Sequence, residues 1–373
     1  MLSGPWNRKG TKVIDRLADW LTRVMNGVRQ LWRQLQRLYH PARLRERGWW
    51  WSSGLIIATL VILLGFLGAY WSVEPEPFDV RRVALDRTGQ EQGQLATGYT
   101  FTSTLMHIGE VLLEKRGGYL SNDVMPPGVW VDNIPNWEFG ALVMLRDAAG
   151  GLRNHLARSQ SQSTEDVDLA QAEPQFNFQN DSWILPATEG EYRTGIAALG
   201  RYAVRLADTR QQNAQFYARA DNLAQYLQIV EKRLGSLSQR LSASVGQVRI
   251  NTDLSGDAAV RQATPGSGVV VVRTPWRELD DVFYEARGAT WALLHILNAV
   301  EVDFDEVLKR KNAVISLRQI IRELEATQQA TTSPVILNGS GFGLFANYSL
   351  SMANYIARAN AAVIDLRDLL QRG

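Results

Sequence analysis

The sequence contains no cysteine, and this absence excludes several kinds of site at once. Without thiolates the chain cannot form disulfides, thiolate zinc sites or iron–sulfur clusters, and it cannot use a cysteine nucleophile. Histidine is also scarce, with four residues in 373, and none of them has the His-x-x-x-His or Glu-x-x-His spacing of a metal site on a helix. We therefore predict that the protein holds no metal and no cofactor.

The chain also lacks an overall charge excess, because 40 basic and 38 acidic residues leave a net charge of +2. This balance argues against a chain-wide nucleic-acid binder. The average hides a partition, however. Residues 1–47 hold eleven basic and three acidic residues, a net +8, and residues 48–73 hold no charge. The remainder, with 29 basic and 35 acidic residues, carries −6.

The uncharged segment is long enough to cross a membrane. From Ser52 to Trp71 it has 20 residues, which span about 30 Å as a helix, the thickness of a bilayer core. Tryptophans lie at both ends, where aromatic rings favour the headgroup zone. The sequence predicts a transmembrane signal anchor over 48–73, uncleaved and in contact with the lipid bilayer.

The flanking charges predict the orientation of this anchor. Residues 1–47 are strongly basic, whereas the first charged residues after the anchor are Glu74 and Glu76. The positive-inside rule then places 1–47 in the cytoplasm. In a bacterium, the protein would be a single-pass inner-membrane protein with its C-terminal domain in the periplasm.

The segment 1–47 has an amphipathic pattern of its own. Apolar residues recur at steps of three and four, which indicates one face of a helix. The opposite face carries five arginines, Arg16, Arg23, Arg29, Arg33 and Arg37. We predict a basic helix on the anionic membrane surface. The alternatives are a docking helix for a cytoplasmic partner and a solvated tail that only sets the topology.

The part beyond the anchor is predicted to be all-α. Residues 74–99 are rich in turn formers and predict an extended linker, and 100–373 predict a helical domain with long helices at about 189–248, 275–329 and 344–371. The predicted helix at about 189–248 carries a heptad seam. The seam comprises Phe216, Ala220, Leu223, Leu227, Val230, Leu234, Leu237 and Leu241. We predict one transmembrane helix followed by an antiparallel long-helix bundle. Packing within one chain is favoured over the alternative, a homo-oligomer formed through the seams.

Several short motifs after the anchor carry a family resemblance. They are Gly118–Asp123, Pro126–Gly128, Asp132–Asn133, Trp137–Gly140, Arg146–Asp147, Asp181–Pro186, Phe216–Leu223, Phe283–Gly288 and Asn338–Gly343. Together they resemble a family of uncharacterised single-pass inner-membrane proteins of Gram-negative bacteria, known as a domain of unknown function. The resemblance implies an inner-membrane, periplasm-facing protein, and it supplies no catalytic residue or ligand.

The richest polar and aromatic segment is 119–147. Its candidate contact residues are Asp123, Trp130, Asp132, Trp137, Glu138 and Arg146. We predict that they form a non-catalytic binding surface for an envelope protein or polymer. One alternative is a cell-wall glycan hydrolase, since such enzymes use paired carboxylates and aromatic platforms. The simplest alternative assigns the acidic residues to turns and caps, and the tryptophans to the core.

Overall fold

The computed structural model describes residues 48–89, 93, 95–158, 164–208, 213–250, 269–331, 333, 335–340 and 344–372, together with some positions between 22 and 40. Helix α1 covers Trp49–Trp71. Within the described part of the chain, it is the one helix long and apolar enough to cross a membrane. The chain divides into two compact units, 1–67 and 68–373, so the last turn of α1 belongs to the second unit.

The predicted amphipathic segment falls largely outside the described residues. Arg29 and Arg33 are described, and both have helical backbone and exposed side chains. Arg16, Arg23 and Arg37 lie outside the described residues. The membrane-surface role of these arginines therefore stays a prediction.

The segment 74–99 is not an extended linker, and this prediction is wrong. Helix α2 occupies Val80–Thr88 within it. The Asp79 side chain accepts hydrogen bonds from the backbone N–H groups of Arg81 and Arg82 at 2.8 and 3.1 Å, which caps the first turn. Gly89 ends the helix with a left-handed φ of 67°, a conformation that glycine adopts without a steric penalty. The turn-rich composition of 74–99 led to the linker prediction, although the sequence contains both Asp79, which caps the start of α2, and Gly89, which ends it.

The all-α prediction is confirmed, with a helical domain after the candidate membrane helix α1. Its helices are α3 Tyr99–Glu114, α4 Asn133–Gly151, α5 Val167–Phe176, α6 Thr188–Ala207, α7 Ala220–Ser242, α8 Leu279–Asp303, α9 Asp305–Arg310, α10 Val314–Thr327 and α11 Tyr348–Gln371. A π-helical turn, Leu152–Leu156, extends α4. Two short antiparallel strands, β1 Gln247–Ile250 and β2 Val269–Val272, form a ribbon with Gln247 opposite Val272.

Two of the predicted long helices are interrupted. The region 189–248 breaks between Asp208 and Arg219, where the backbone N–H of Tyr217 donates instead to the carbonyl of Leu156 at 2.6 Å. The region 275–329 divides into α8, α9 and α10, and Asn312 between the last two has a φ of 51°. Asparagine tolerates this left-handed conformation better than most residues, which permits a tight turn there.

Long helices pack antiparallel around the core. The Ser238 hydroxyl of α7 donates to the carbonyl of Ala353 in α11 at 3.3 Å, while Glu231, two turns earlier, pairs with Arg367 farther along α11. The seam residues of α7 that are buried within this single chain are Leu223, Leu227, Val230, Leu234, Leu237 and Leu241. The heptad pattern is thus a core pattern inside one protomer.

Helices α4 and α8 cross at two glycines. A Cβ on Gly140 would lie 1.9 Å from the carbonyl oxygen of Glu285, and one on Gly288 would lie 1.8 Å from that of Trp137. The two backbones can approach this closely only because neither glycine has a side chain. This crossing fixes the start of α4, and with it the loop that precedes it.

Candidate functional site

The predicted contact segment begins with a sharp reversal after α3. Gly117 and Gly118 have φ values of 86° and 76°, and glycine takes up such values without strain. The chain then forms the loop 119–131, which includes a 3₁₀ turn over Gly128–Trp130. We call 119–131 the first loop. It leads directly into α4.

Glu138 is fully buried behind this loop and forms an ion pair with Lys115. Its carboxylate accepts hydrogen bonds from the backbone N–H groups of Leu120 at 2.9 Å and Ser121 at 2.8 Å, and from the Ser121 hydroxyl at 2.5 Å. Burial raises the pKa of Glu138, and Lys115 and the hydrogen bonds oppose that rise. These bonds hold the first loop to α4. Glu138 therefore has no surface from which to touch a ligand.

Trp137 and Arg146 also serve the interior. The Trp137 side chain is fully buried, and its ring centroid lies 5.0 Å from that of Trp291. Arg146 donates from Nε to the carbonyl of Phe176 at 2.6 Å and from Nη2 to that of Phe178 at 2.7 Å, which ties down the end of α5. The prediction that Trp137 and Glu138 lie on a contact surface is wrong, because both side chains are fully buried. Arg146 is half-buried, and its place on a contact surface stays a prediction.

The other predicted contact residues reach the surface. Trp130 is 54% exposed, and Asp132 is exposed at the start of α4. Asp123 is half-buried, and its pKa is raised by partial burial and by the nearby charge of Glu189. The remaining exposed side chains of the first loop are large and apolar: Val124, Met125 and Val129. The accessible part of the segment is therefore more apolar than its sequence composition suggests.

A second apolar loop was missed at the sequence level. Trp183, Ile184 and Leu185 are all exposed, and Leu185 is 90% exposed. Asn122 joins this loop to the first, since its buried side-chain amide donates to the carbonyl of Ser182 at 3.0 Å. The signal was present as a Trp-Ile-Leu run inside a turn, but a run of apolar residues does not reveal that all of them face solvent.

The segment after α1 is fastened to the helical domain by a buried ion pair. The Arg287 guanidinium donates from Nε and Nη2 to the carboxylate of Glu74 at 2.9 and 2.6 Å. Its Nη1 donates to the carbonyls of Gln329 at 2.7 Å and Thr327 at 3.2 Å. Because both charges are largely buried, this pair holds the chain that follows α1 against α8 and the end of α10.

One cavity of about 650 Å³ has a lining of mixed charge, with Arg81 and Arg310 beside Glu301, Asp303 and Glu306. Asp303 accepts a hydrogen bond from the backbone N–H of Phe101 at 2.7 Å, and burial raises its pKa to about 7. Among the described residues, no group of three or more His, Asp or Glu side chains could hold a metal ion.

A family model described as an uncharacterised protein conserved in bacteria, DUF2333, matches residues 44–373. The chain belongs to the DUF2333 family. The DUF2333 match includes α1 as well as the whole helical domain.

The mouse protein named Peroxisomal membrane protein 11C is 28% identical over 141 residues, which cover 36% of this DUF2333 chain. The chain spans 57% of the length of that relative. No solved structure matches.

Proposed function

We propose that this protein is a single-pass anchor protein of the bacterial inner membrane whose helical domain lies in the periplasm and acts by binding rather than by catalysis. The proposal depends on which side chains of 119–147 are buried and which are exposed. Its most enclosed carboxylate, Glu138, is committed to a buried ion pair with Lys115, while its exposed side chains are mainly apolar. Such a surface is suited to contact and offers little for proton transfer.

The topology rests on the charge partition around α1. Residues 1–47 carry a net +8, and the part after residue 73 carries −6, which favours a cytoplasmic N-terminus. The mouse relative is also named as a membrane protein, which agrees with membrane association of this chain.

The glycan-hydrolase alternative loses its central residue. A general acid must reach the proton acceptor on its substrate, and Glu138 is fully buried beneath the first loop. The remaining polar residues of 119–147 give no reason to prefer hydrolysis, so we do not propose it.

The topology can be tested with introduced cysteines, because the chain has none of its own. Met25→Cys reports on the N-terminal segment and Val167→Cys on the domain, and both positions are exposed. In spheroplasts, a membrane-impermeant maleimide should label the Val167→Cys protein at once and the Met25→Cys protein only after lysis. The reverse pattern would show that the domain faces the cytoplasm.

The binding role can be tested by photo-crosslinking in cells. A photoreactive residue at Val129, in the first loop, should give defined adducts, whereas one at the more exposed Ile315 of α10 should not. Mass spectrometry then assigns each adduct to lipid, polypeptide or glycan. Identical patterns at the two positions would contradict a binding role for this surface.

A further inference from the structure

The first loop and the second loop, which Asn122 joins through its hydrogen bond to Ser182, each expose large apolar side chains, and we call these side chains together the two-loop patch. The first loop contributes Val124, Met125, Val129 and Trp130, and the second contributes Trp183, Ile184 and Leu185. Isolated apolar side chains on a surface need no explanation, but seven of them on two hydrogen-bonded loops, two of them tryptophans, point to an interaction site. The question is what covers it.

The patch is held in place by a network of hydrogen bonds. The buried Asn122 donates from Nδ2 to both the Ser182 carbonyl, at 3.0 Å, and Glu189, at 2.8 Å. Within the second loop, the Ser182 hydroxyl donates to the Pro186 carbonyl at 2.8 Å, and its backbone N–H donates to the Thr188 hydroxyl at 3.1 Å. The apolar side chains are therefore presented by ordered backbone.

Leu185 shows that the exposure is imposed by the fold. Its φ is 61°, in the left-handed region that is unfavourable for residues with a Cβ. A leucine held in this conformation and almost fully exposed gains nothing from the interior. Backbone strain of this kind is retained where the surrounding structure enforces it, and it clusters at functional positions.

The position of the first loop identifies the occupant. Gly68, one turn before the end of α1, is buried against this loop: a Cβ there would lie 3.5 Å from Pro127 and from Val131. Trp71, the last residue of α1, lies against Gly117 at the start of the same reversal. With a rise of about 1.5 Å per residue, the loop meets α1 within about 5 Å of its end. The first loop of the patch thus lies beside the last turn of α1.

The side chains of the patch and of the last turn of α1 are of the types found at a bilayer interface. Tryptophan is the side chain most typical of the boundary between headgroups and acyl chains. The exposed Arg116 places its guanidinium 5.1 Å from the ring centroid of Tyr70, in the last turn of α1, where a cation can meet lipid phosphate while its stem covers apolar surface. Asp123 and Asp132 beside the patch argue against attraction by anionic lipid, so insertion would be driven by apolar burial.

We propose that the two-loop patch inserts into the interface of the same bilayer that α1 spans, so that the domain rests on the membrane as a second point of attachment. This inference rests on the proposed membrane insertion of α1, and it identifies lipid as the partner of the contact surface. A protein partner or a second copy of the chain would be a different occupant.

The test uses the full chain in neutral phosphatidylcholine vesicles with brominated acyl chains, which quench nearby fluorophores. Single cysteines at Met125 and Ile184 carry an environment-sensitive label, with Ile315→Cys as the exposed control and Ile62→Cys in α1 as the insertion control. Labels at 125 and 184 should shift to shorter wavelength and lose several-fold more emission than the label at 315. Trp130→Glu should reduce quenching at 125, whereas Ile315→Glu should not.

The outcomes separate the two proposals. Quenching at 62 but none at 125 and 184 would overturn the interfacial patch and leave the membrane anchor intact. An absence of quenching at 62 would contradict the anchor itself. Protection of 125 and 184 that depends on protein concentration and not on lipid would assign the patch to a second copy of the chain, and would also overturn the lipid proposal.

Discussion

The backbone N–H of Phe78 donates to Nε2 of His295 at 2.9 Å, and the two rings stack with centroids 3.8 Å apart. Nδ1 of the same histidine bonds to the carbonyl of Trp291 at 2.7 Å. A neutral imidazole can satisfy both contacts, with Nδ1 donating and Nε2 accepting. This relationship joins the chain that follows α1 to α8.

Protonation of His295 should weaken that joint. Burial, and secondarily the charge of His107, lower the pKa of His295 from 6.5 to about 4. Between these values the unfolded chain binds a proton that the folded chain refuses, so the free energy of unfolding should fall as pH decreases from 6.5 towards 4. His295→Gln removes this titration, and between pH 7 and 5 the wild type should lose about 2 kcal/mol relative to the variant. Chemical unfolding in detergent measures the difference, with the exposed His40→Gln as control. Parallel pH profiles for wild type and His295→Gln would contradict the assignment.

Removing Arg287 should destabilise the domain more than removing its partner Glu74. Arg287→Met leaves Glu74 and the two α10-end carbonyls without their donor, and such a broken buried pair costs about 3–5 kcal/mol. Glu74→Gln retains an acceptor, and Arg287 keeps its bonds to the carbonyls of Thr327 and Gln329, so the loss should be smaller. The exposed pair of Arg82 and Asp86, 4.0 Å apart, is the matched control, since its removal should change stability little. Thermal unfolding of the two single variants and the double variant measures the coupling, and additive effects would argue against a direct pair.

Asp303 should give the opposite pH dependence to His295. Burial raises its pKa from 3.8 to about 7, although the N–H groups of Phe101, Gly98 and Thr100 stabilise its charged form. Its contribution is fully present below pH 3.8 and is lost as pH rises through about 7. From pH 5 to 8 the wild type should therefore lose about 3 kcal/mol relative to Asp303→Asn. Asp305→Asn, two positions along the chain and half exposed, is the control. A constant difference between wild type and Asp303→Asn would show that this carboxyl is ionised throughout.

The sequence anticipated features that depend on local pattern. The apolar run of α1 and the heptad seam of α7 are set by residues close together in the chain, and both appear as helices at nearly the predicted places. The burial of Glu138 depends on Lys115, which lies across the loop. The attachment of Phe78 depends on His295, 217 residues away. Contacts between residues distant in the chain produce no periodic pattern in the sequence. The predictions that Glu138 lies on a surface and that 74–99 is a linker therefore depended on composition alone.

At the crossing of α4 and α8, even a methyl side chain should destabilise the fold. Gly140→Ala would place a Cβ 1.9 Å from the Glu285 carbonyl oxygen, and forcing the helices apart should cost at least about 1–3 kcal/mol. Gly150→Ala in the same helix is the matched control, because nothing lies within 4 Å of its Cβ position. There the substitution should stabilise α4 by up to about 1 kcal/mol, since alanine favours helix more than glycine. Equal effects of the two changes in thermal unfolding would mean that the helices are not in close contact.

Glu138→Gln should act on stability and not on binding. The change leaves the Lys115 ammonium buried without its counter-charge, and the loss should be about 3–5 kcal/mol. Lys115→Met in the same chain should recover part of it, because the uncompensated charge is then gone. Trp130→Ala, at an exposed position of the first loop, should leave the unfolding midpoint unchanged and reduce the adducts captured at Val129. The two readouts, unfolding by circular dichroism and photo-crosslinking in cells, therefore separate the residue that builds the surface from the residue that makes the contact. A Glu138→Gln protein with wild-type stability and lost crosslinking would return Glu138 to the binding surface.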